Sequence, residues 1–310
     1  MDTLAGVKVV ELPGLAPVPH CSQLLAHFGA DVTFVEKKGA SKLLIERQLM
    51  DKKTIVSLDF EKEKQKLRDL ILRADVLLDP FRPGVLEAIG LDPVQLLEEN
   101  PGLIVARITG YGQTGRFSQV AGHDINYVVC LSIRFEFETA LSGVLPILSG
   151  PNRPLWPPVN LLADFAAGGL STAFAICAAL IRRNRTGKGA IIDTSMTEGV
   201  AYLANYVYSY QEREDFWGPD YGIFSGRFPV YRTYETKDGK FVAVGALEPK
   251  FHRQLFKSTD SCVTPVLDIE EVGSFRQHEI GAPFGRRAES GGRIPLPAFT
   301  RGRNSRSFVI

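Results

Sequence analysis

The chain has 310 residues, of which 45% are hydrophobic and 23% charged, and its 36 lysines and arginines nearly balance 35 aspartates and glutamates. This length suits two modest domains or one large domain with an appendage, and the composition excludes disordered, collagen-like and coiled-coil proteins. The near-neutral charge excludes a protein that recruits nucleic acid or an anionic membrane through its overall field, so an anionic ligand would have to be bound locally.

The first two-thirds of the chain alternates short apolar, β-branched runs with amphipathic segments. The predicted strands are Val7–Leu12, Asp31–Glu36, Ile55–Phe60, Asp75–Leu78, Leu103–Thr109 and Ala190–Thr194. The predicted helices are Pro19–Phe28, Glu61–Arg73, Val85–Ile89 and a long apolar helix that starts at Leu161. Strands alternating with helices predict an α/β fold, with a mostly parallel sheet in a Rossmann-like large domain at residues 1–198.

The long apolar helix also has to be considered as a membrane span. Leu161–Ile181 has a single charge, Asp164, and a basic flank. Alanine and glycine dominate the run and no second span follows, so we expect a core helix with Asn160 as its N-cap rather than a membrane span.

The sequence pattern changes beyond residue 198. Residues 199–225 are predicted to form a tyrosine-rich helix and a linker, and residues 226–272 a small α+β domain that starts with a hairpin turning at Asp238-Gly239. Residues 273–310 are rich in arginine and glycine and are predicted to be a disordered, solvated tail. The four cysteines are widely spaced, which argues against a zinc site or a disulfide scaffold, and neither end of the chain carries a recognisable targeting signal.

Two sequence motifs suggest ligand binding. GYGQTG at residues 110–115 has the spacing of a dinucleotide fingerprint, but it follows the fifth strand and no amphipathic helix comes after it, so we do not interpret it as one. AGHDINY at residues 121–127 places His123 and Asp124 beyond the end of a strand, where α/β sheets bind ligands. Taken alone, His123 beside Asp124 is equally typical of a helix or turn cap, and Asp164 of a helix-dipole partner.

Eight collinear blocks, however, resemble the α-methylacyl-CoA racemases of the family III CoA-transferase (CaiB/BaiF) superfamily, from about Val7 to Val272. The blocks are LPGLAPVPH, LLDPFRPGV, ARITGYGQTG, AGHDINY, NLLADFAAGG, GKGAIIDTSMTEG, FVAVGALEP and TDSCVTPVL. The resemblance implies racemisation of 2-methyl-branched fatty acyl-CoA thioesters, as in branched-chain fatty acid and bile acid metabolism, without a metal or an organic cofactor. It also implies a mitochondrial or peroxisomal location.

By matching position, His123 and Asp164 are the pair that removes the α-proton on one face and returns a proton on the other. Glu248 matches the residue that hydrogen-bonds the catalytic histidine, and in the family it comes from the other subunit of an interlocked homodimer. Backbone N–H groups at the turn Asp124–Asn126 suit the enolate oxygen.

Further positions match the family's substrate and CoA contacts, with Arg82 and Lys37 as basic partners of the phosphates. These positions are Lys37, Leu58, Asp59, Phe60, Pro80, Phe81, Arg82, Gly122, Asp124, Ile125, Asn126 and Tyr127. Glu61 and Ala88 stand where the family commonly has basic residues, so we expect weaker CoA affinity.

The chain departs from the family in two places. The segment 128–139 is interpreted as an insertion, with an amphipathic strand pattern in Leu131, Ile133, Phe135 and Phe137, and the small domain is shortened before the tail. The chain thus resembles a variant of a racemase. Two alternatives are CoA transfer between carboxylates through an aspartyl-CoA anhydride at Asp164, and a non-catalytic CoA-binding isoform.

Overall fold

The computed structural model describes residues 2–39, 49–128, 144, 148, 159–218, 222–236, 238–262 and 307–309. The described residues fall into two compact units. The first contains the residues up to Asn205 together with Ser307–Val309, and the second extends from Tyr206 to Cys262.

The first unit is built on six parallel strands in the order β3-β2-β1-β4-β5-β6. The strands are β1 (Lys8–Glu11), β2 (Asp31–Lys37), β3 (Lys53–Leu58), β4 (Val76–Asp79), β5 (Ile104–Thr109) and β6 (Ala190–Ser195). The chain reverses its direction of winding between β1 and β4, and open α/β sheets bind ligands at the carboxyl edge beside such a point. The predicted α/β fold class with a mostly parallel sheet is confirmed.

Helices cover both faces of this sheet. They are Pro17–His27, Lys64–Leu72, Val85–Ala88, Pro93–Glu99, Asp124–Val128, a π-helix at Leu161–Leu170, Ser171–Thr186 and Met196–Leu203. The helix Pro93–Glu99 was not predicted, although the Asp92 carboxylate caps it by accepting a hydrogen bond from the Val94 N–H (2.7 Å).

Successive residues of the central strands supply two separate cores. Val9, Val76 and Ile104 pack on one face of the sheet, whereas their neighbours Val10 and Leu77 pack on the other. Because both faces are covered, the strands are continuous apolar runs rather than alternating ones. The strands themselves are therefore buried, and the loops that follow their carboxyl ends carry the candidate site.

The predicted apolar helix is present, but its first ten residues form a π-helix. Leu161–Thr186 is the one helix in the described part of the chain that is long and apolar enough to cross a membrane, and half of its most apolar window is buried. It packs against the helix Pro17–His27 and against β5. Asn160 occupies the N-cap position as expected, but its backbone is left-handed (φ 62°) and its side chain makes no capping hydrogen bond to the helix backbone.

The second unit contains the predicted hairpin. It has helices at Asn205–Tyr210 and Glu214–Trp217, antiparallel strands β7 (Tyr231–Glu235) and β8 (Phe241–Gly245), and a helix at Pro249–Cys262. Gly239, the second of the two predicted turn residues, has the expected positive φ (73°). The Gly239 N–H donates to the Thr236 carbonyl (2.9 Å), which closes the turn ahead of that glycine.

One part of the predicted tail is ordered. Ser307–Val309 forms β9, which pairs in parallel with Ile191–Asp193 of β6, so the expectation of a solvated tail is wrong for these residues. Phe308 and Val309 favour extended backbone, and the outer edge of β6 offers unpaired backbone groups to them. Residues 129–139 of the interpreted insertion and residues 263–306 lie outside the described residues.

Candidate active site

The candidate catalytic residues of the first unit lie in loops and helix starts beyond the strand ends. The helix Asp124–Val128 follows β5 through the glycine loop, and the π-helix brings Asp164 next to it. His123 immediately precedes the first helix. Its backbone N–H donates to Asn126 Oδ1 (2.9 Å), and the Asn126 N–H donates back to the His123 carbonyl (2.8 Å). This reciprocal pair fixes the backbone of His123 as the cap of the helix, while its side chain is exposed.

The Asp124 carboxylate joins the two helices. It is 1% exposed, and its Oδ1 accepts hydrogen bonds from the backbone N–H groups of Ala163 (2.9 Å) and Asp164 (2.8 Å). Asp124 therefore has the capping role that is typical of an aspartate beside a helix, but it caps a helix that starts almost 40 residues downstream. Through this bond the residue next to His123 sets the backbone position of Asp164.

Asp164 is buried in the first turn of the π-helix, where its side chain is 9% exposed. Burial raises its pKa to about 6, and the Asp124 charge adds to this rise. Two contacts oppose this rise and lower the pKa of Asp164. The Asn160 amide donates a hydrogen bond to Asp164 Oδ2 (2.8 Å), and the charge of His123 favours the ionised carboxylate. The carboxyl group of Asp164 is therefore poised to hold or release a proton near neutral pH.

Asn160 is a site residue that the sequence did not reveal in this role. It lies one turn before Asp164, and left-handed backbone at Val159 (φ 49°) and Asn160 turns the chain into the π-helix. A β-branched residue in this conformation is strained, and such strain is typical of functional sites. The signal available in the sequence was the spacing of four residues between an amide and a carboxylate.

The glycine loop packs closely against the ring of Tyr127. A Cβ on Gly110 would lie 2.4 Å from the ring of Tyr127, and one on Gly122 would lie 2.7 Å from it. The remaining motif glycines, Gly112 and Gly115, have φ angles of 78° and 89°, which side chains rarely adopt. Packing and turn geometry thus account for the glycines of this motif.

The turn Asp124–Asn126 has fewer N–H groups available to a negatively charged oxygen than expected. The Asn126 N–H is already bonded to the His123 carbonyl, so of the predicted turn Asp124–Asn126 the donors at the helix start are Asp124 and Ile125. The first N–H groups of a helix have no partner within it and are favourable toward negative charge.

The predicted nucleotide-binding positions meet at the ends of β2 and β3. Lys37 is paired in register with Leu58, and its side chain is exposed at the carboxyl edge. Leu58 and Phe60 are 7% and 9% exposed and belong to the core beneath this edge, so they do not offer their side chains to a ligand. Asp59 forms the turn between them, and its Oδ1 accepts hydrogen bonds from the N–H groups of Glu61 and Lys62 (3.1 Å each).

The loop Pro80–Gly84 follows β4 beside the point where the winding reverses. A Cβ on Gly14, in the loop after β1, would lie 2.4 Å from Pro80 Cβ, so these two loops meet closely. Phe81 is half-buried, and Arg82 is exposed and donates one N–H to the Gln119 carbonyl (2.9 Å). Its guanidinium has further donors for an anion.

Glu248 lies in the second unit, immediately before the helix Pro249–Cys262. Its carbonyl accepts a hydrogen bond from the His252 N–H (3.0 Å). The structure thus brings His123, Asp124, Asn160 and Asp164 together in the first unit and places Glu248 in the other. Among the described residues, no cluster of three or more histidine, cysteine, aspartate or glutamate side chains could hold a metal ion.

Residues 4–265 match the family described as CoA-transferase family III. The chain belongs to this family. It is 49% identical to a CaiB/BaiF CoA-transferase family protein of Caenorhabditis elegans, over 89% of each chain. It is 41% identical to human alpha-methylacyl-CoA racemase, over 87% of this chain and 79% of that one.

The family also contains more distant enzymes of another type. Human succinyl-CoA:glutarate CoA-transferase is 30% identical over 87% of this chain and 60% of its own length. Among solved structures, a CaiB/BaiF family protein of Brucella suis matches with a TM-score of 0.61 and 28% identity, over 79% of this chain and 66% of the other. The identity to alpha-methylacyl-CoA racemases, rather than to these two proteins, supports an enzyme of the racemase kind.

Proposed function

We propose that this family III protein racemises 2-methylacyl-CoA thioesters, with His123 and Asp164 as the two groups that exchange the α-proton. The observation that carries the proposal is the coupling of these two residues: Asp124, next to His123, binds the backbone of Asp164, and the charge of His123 acts on a buried carboxyl group whose pKa is about 6. The identity to racemases supports the same activity.

Such a pair works with one shared proton. When Asp164 is ionised and His123 is protonated, the carboxylate removes the α-proton and the imidazolium returns a proton on the opposite face. The pair then has the proton on Asp164 and a neutral His123, which is the state needed to act on the other enantiomer. A carboxyl group with an ordinary pKa would seldom hold the proton at neutral pH, so the raised pKa of Asp164 serves both directions.

The thioester carbonyl becomes an enolate when the α-proton leaves. The N–H groups of Asp124 and Ile125 at the helix start are suited to its negative charge, in the manner of an oxyanion hole. On this proposal the chemistry consists of proton transfer alone, and it needs no metal or organic cofactor.

Glu248 completes the proposal as the partner of the His123 imidazole, supplied by the second subunit of a homodimer. The exposure of the His123 side chain in the first unit leaves it accessible to such a partner. Light scattering on the purified chain tests this part, because a monomer would lack a Glu248 from a second subunit. Location in mitochondria or peroxisomes stays a prediction, to be tested by cell fractionation.

The decisive experiment follows wash-in of deuterium from D2O into the 2R and 2S forms of a 2-methylacyl-CoA. Wild-type protein is expected to exchange both enantiomers and to interconvert them. His123→Ala and Asp164→Ala are each expected to abolish interconversion while retaining exchange of one enantiomer, with opposite preferences. Near-normal racemisation by either variant would contradict the two-base assignment.

CoA transfer is the second candidate, and the family's transferases together with the carboxylate of Asp164 favour it. In that reaction Asp164 would attack a thioester carbonyl and release the CoA thiolate, forming a mixed anhydride. The thiolate would then attack the aspartyl carbonyl of this anhydride, giving an aspartyl-CoA thioester and releasing the donor acid as a free carboxylate. A carboxylate acceptor with labelled acyl-CoA distinguishes the two reactions, since a racemase forms no new thioester. A chain that binds CoA but catalyses neither reaction would be the non-catalytic isoform.

A further inference from the structure

Three charged residues form one row across the carboxyl half of the parallel sheet. In register, Asp79 of β4 pairs with Arg107 of β5, and Arg107 pairs with Asp193 of β6. All three are at least nine-tenths buried, with exposures of 0%, 6% and 7%. Burying a charge costs free energy unless the charge is paired. Placing one buried arginine between two buried aspartates therefore indicates that these residues have a specific role.

Arg107 holds both ends of the loop Pro80–Gly84. Its Nε donates to Asp79 Oδ2 (2.8 Å), and the other oxygen of Asp79 accepts the N–H of Phe81 inside the loop (2.8 Å). Its two terminal nitrogens donate to Glu87 (2.7 and 3.3 Å), in the helix Val85–Ala88 that ends the loop. A single guanidinium therefore spans the segment that carries Arg82.

The third residue of the row, Asp193, fixes the neighbouring glycine loop. Both of its oxygens lie 3.0 Å from the backbone nitrogen of Gln113, whose N–H they accept. Burial raises the pKa of Asp193, and the Gln113 N–H and the charge of Arg107 oppose that rise. Arg107 thus also favours the ionised acceptor beneath the second loop.

The two loops are also bonded directly to each other. The Gln113 amide donates to the Phe81 carbonyl (3.2 Å), Arg82 donates to the Gln119 carbonyl (2.9 Å), and the Gln119 amide donates to the Pro83 carbonyl (3.0 Å). These three bonds require a fixed distance between the two loops. The row Asp79, Arg107 and Asp193 lies beneath both loops and bonds to each of them, so it can hold that distance.

We propose that Arg107 is a positioning residue for CoA: it fixes the Pro80–Gly84 loop against the glycine loop and so presents Arg82 to the phosphates of the thioester. This inference rests on the proposed function, because Arg82 is there a CoA contact. Arg107 itself is buried and does not reach the ligand. A lysine could not replace it, because one ammonium group lacks the planar fork that bonds Asp79 and Glu87 together.

The first experiment measures the loops without ligand, by backbone hydrogen exchange at Phe81 and Gln113 in wild type, Arg107→Met and Arg107→Lys. Both variants are expected to exchange these two N–H groups at least about tenfold faster, since each loses charge-assisted bonds that hold the two loops. Arg183→Met is the control. It removes an ion pair with Asp75 (2.7 Å) at the amino edge of the same sheet, and it should leave both N–H groups protected.

The second experiment titrates CoA and measures KM and kcat for the same proteins. Arg107→Met and Arg107→Lys are expected to weaken CoA binding and raise KM about tenfold with kcat changed less than twofold, because the proton-exchanging residues lie elsewhere. Equal losses of kcat in Arg107→Met and Arg183→Met would indicate a merely structural role and overturn the proposal.

A further variant covers the case in which Arg107→Met does not fold. Glu87→Gln removes the negative charge and one of the two acceptor oxygens that bond Arg107, at a side chain that is one-third exposed. Glu99→Gln, which weakens a pair with Arg68 away from both loops, is its control. Glu87→Gln should weaken CoA binding about threefold and Glu99→Gln should not, because only the first pair anchors the loop. A wild-type chain that binds no CoA would overturn the proposed function, whereas equal CoA binding and equal loop exchange in wild type, Glu87→Gln and Arg107→Lys would overturn the role of Arg107 alone.

Discussion

The Asp124 carboxylate accepts the backbone N–H of Asp164 at 2.8 Å, and it links the helix that follows His123 to the π-helix that contains Asp164, the second residue of the proposed proton-exchanging pair. The same carboxylate has two effects that can be separated. Its oxygen holds the start of the π-helix, and its charge helps to raise the pKa of Asp164.

Asp124→Asn separates these two effects. The asparagine oxygen still accepts the N–H groups of Ala163 and Asp164, but the negative charge is gone, so the pKa of Asp164 should fall below about 6. The acid limb of the pH profile for deuterium wash-in should then move to lower pH for the enantiomer that Asp164 deprotonates. Asp124→Ala, which also loses the cap, should unfold more easily by about 1 kcal/mol. An acid limb of Asp124→Asn that coincides with that of wild type would show that the charge of Asp124 does not act on Asp164.

Asp164→Asn should stabilise the fold at neutral pH while removing racemisation. The unfolded chain has an aspartate pKa near 3.8 and the folded chain a pKa of about 6, so between these values the folded state holds the proton more tightly. The contribution of Asp164 to stability is therefore present below about pH 4 and is lost as the pH rises through 6. Replacing the carboxylate by an amide should recover about 1–3 kcal/mol at pH 7.

The measurement is the free energy of unfolding in urea at pH 4 and pH 7. Asp69→Asn, on the exposed face of the helix Lys64–Leu72, is the control and should change it little at either pH. If Asp164→Asn is no more stable than wild type at pH 7, burial of the Asp164 carboxylate does not destabilise the folded state.

The strands at the centre of the sheet could be predicted because β4 and β5 are runs buried along their whole length, whereas the edge strand β3 is largely exposed and carries a weaker signal. The π-helix could not be predicted, because a run of leucine, alanine and glycine is equally compatible with an α-helix, and a valine before Asn160 gives no sign of left-handed backbone. Nor could the cap formed by Asp124, since its two N–H partners lie 39 and 40 residues downstream.

The positions expected to bind the nucleotide were likewise predicted only in part. Matching positions located Lys37 and Leu58 at one edge, but burial decided that Leu58 belongs to the core. Arg107 was visible in the sequence only as one charge in the apolar run of β5, and a buried charge is a signal whose partner the sequence does not name.

Deleting Val129–Thr139 should increase both solubility and proton exchange. These residues lie outside the described part of the chain, and the prediction rests on their sequence, in which four large apolar side chains alternate with polar ones directly after the helix that His123 caps. An unpaired strand of this pattern tends to associate with other strand edges. The deletion restores the family's spacing between His123 and Asp164. A deletion variant that is less soluble and no more active than the parent would show that the segment belongs to the fold.

Glu61→Lys should raise the affinity for CoA. Glu61 is exposed in the turn after β3, where its N–H donates to Asp59, and it stands where the family commonly has a lysine. The substitution keeps the backbone bond and replaces a negative by a positive charge near Lys37, at the edge where the phosphates are expected. One charge-assisted contact at an exposed position is worth up to about 1 kcal/mol, so CoA should bind about two- to fivefold more tightly at low salt. Titration calorimetry at 20 and 200 mM salt checks this, with Glu99→Lys as the control on a helix away from this edge. An affinity that rises equally in both variants would reflect net charge alone and would contradict a nucleotide site at the ends of β2 and β3.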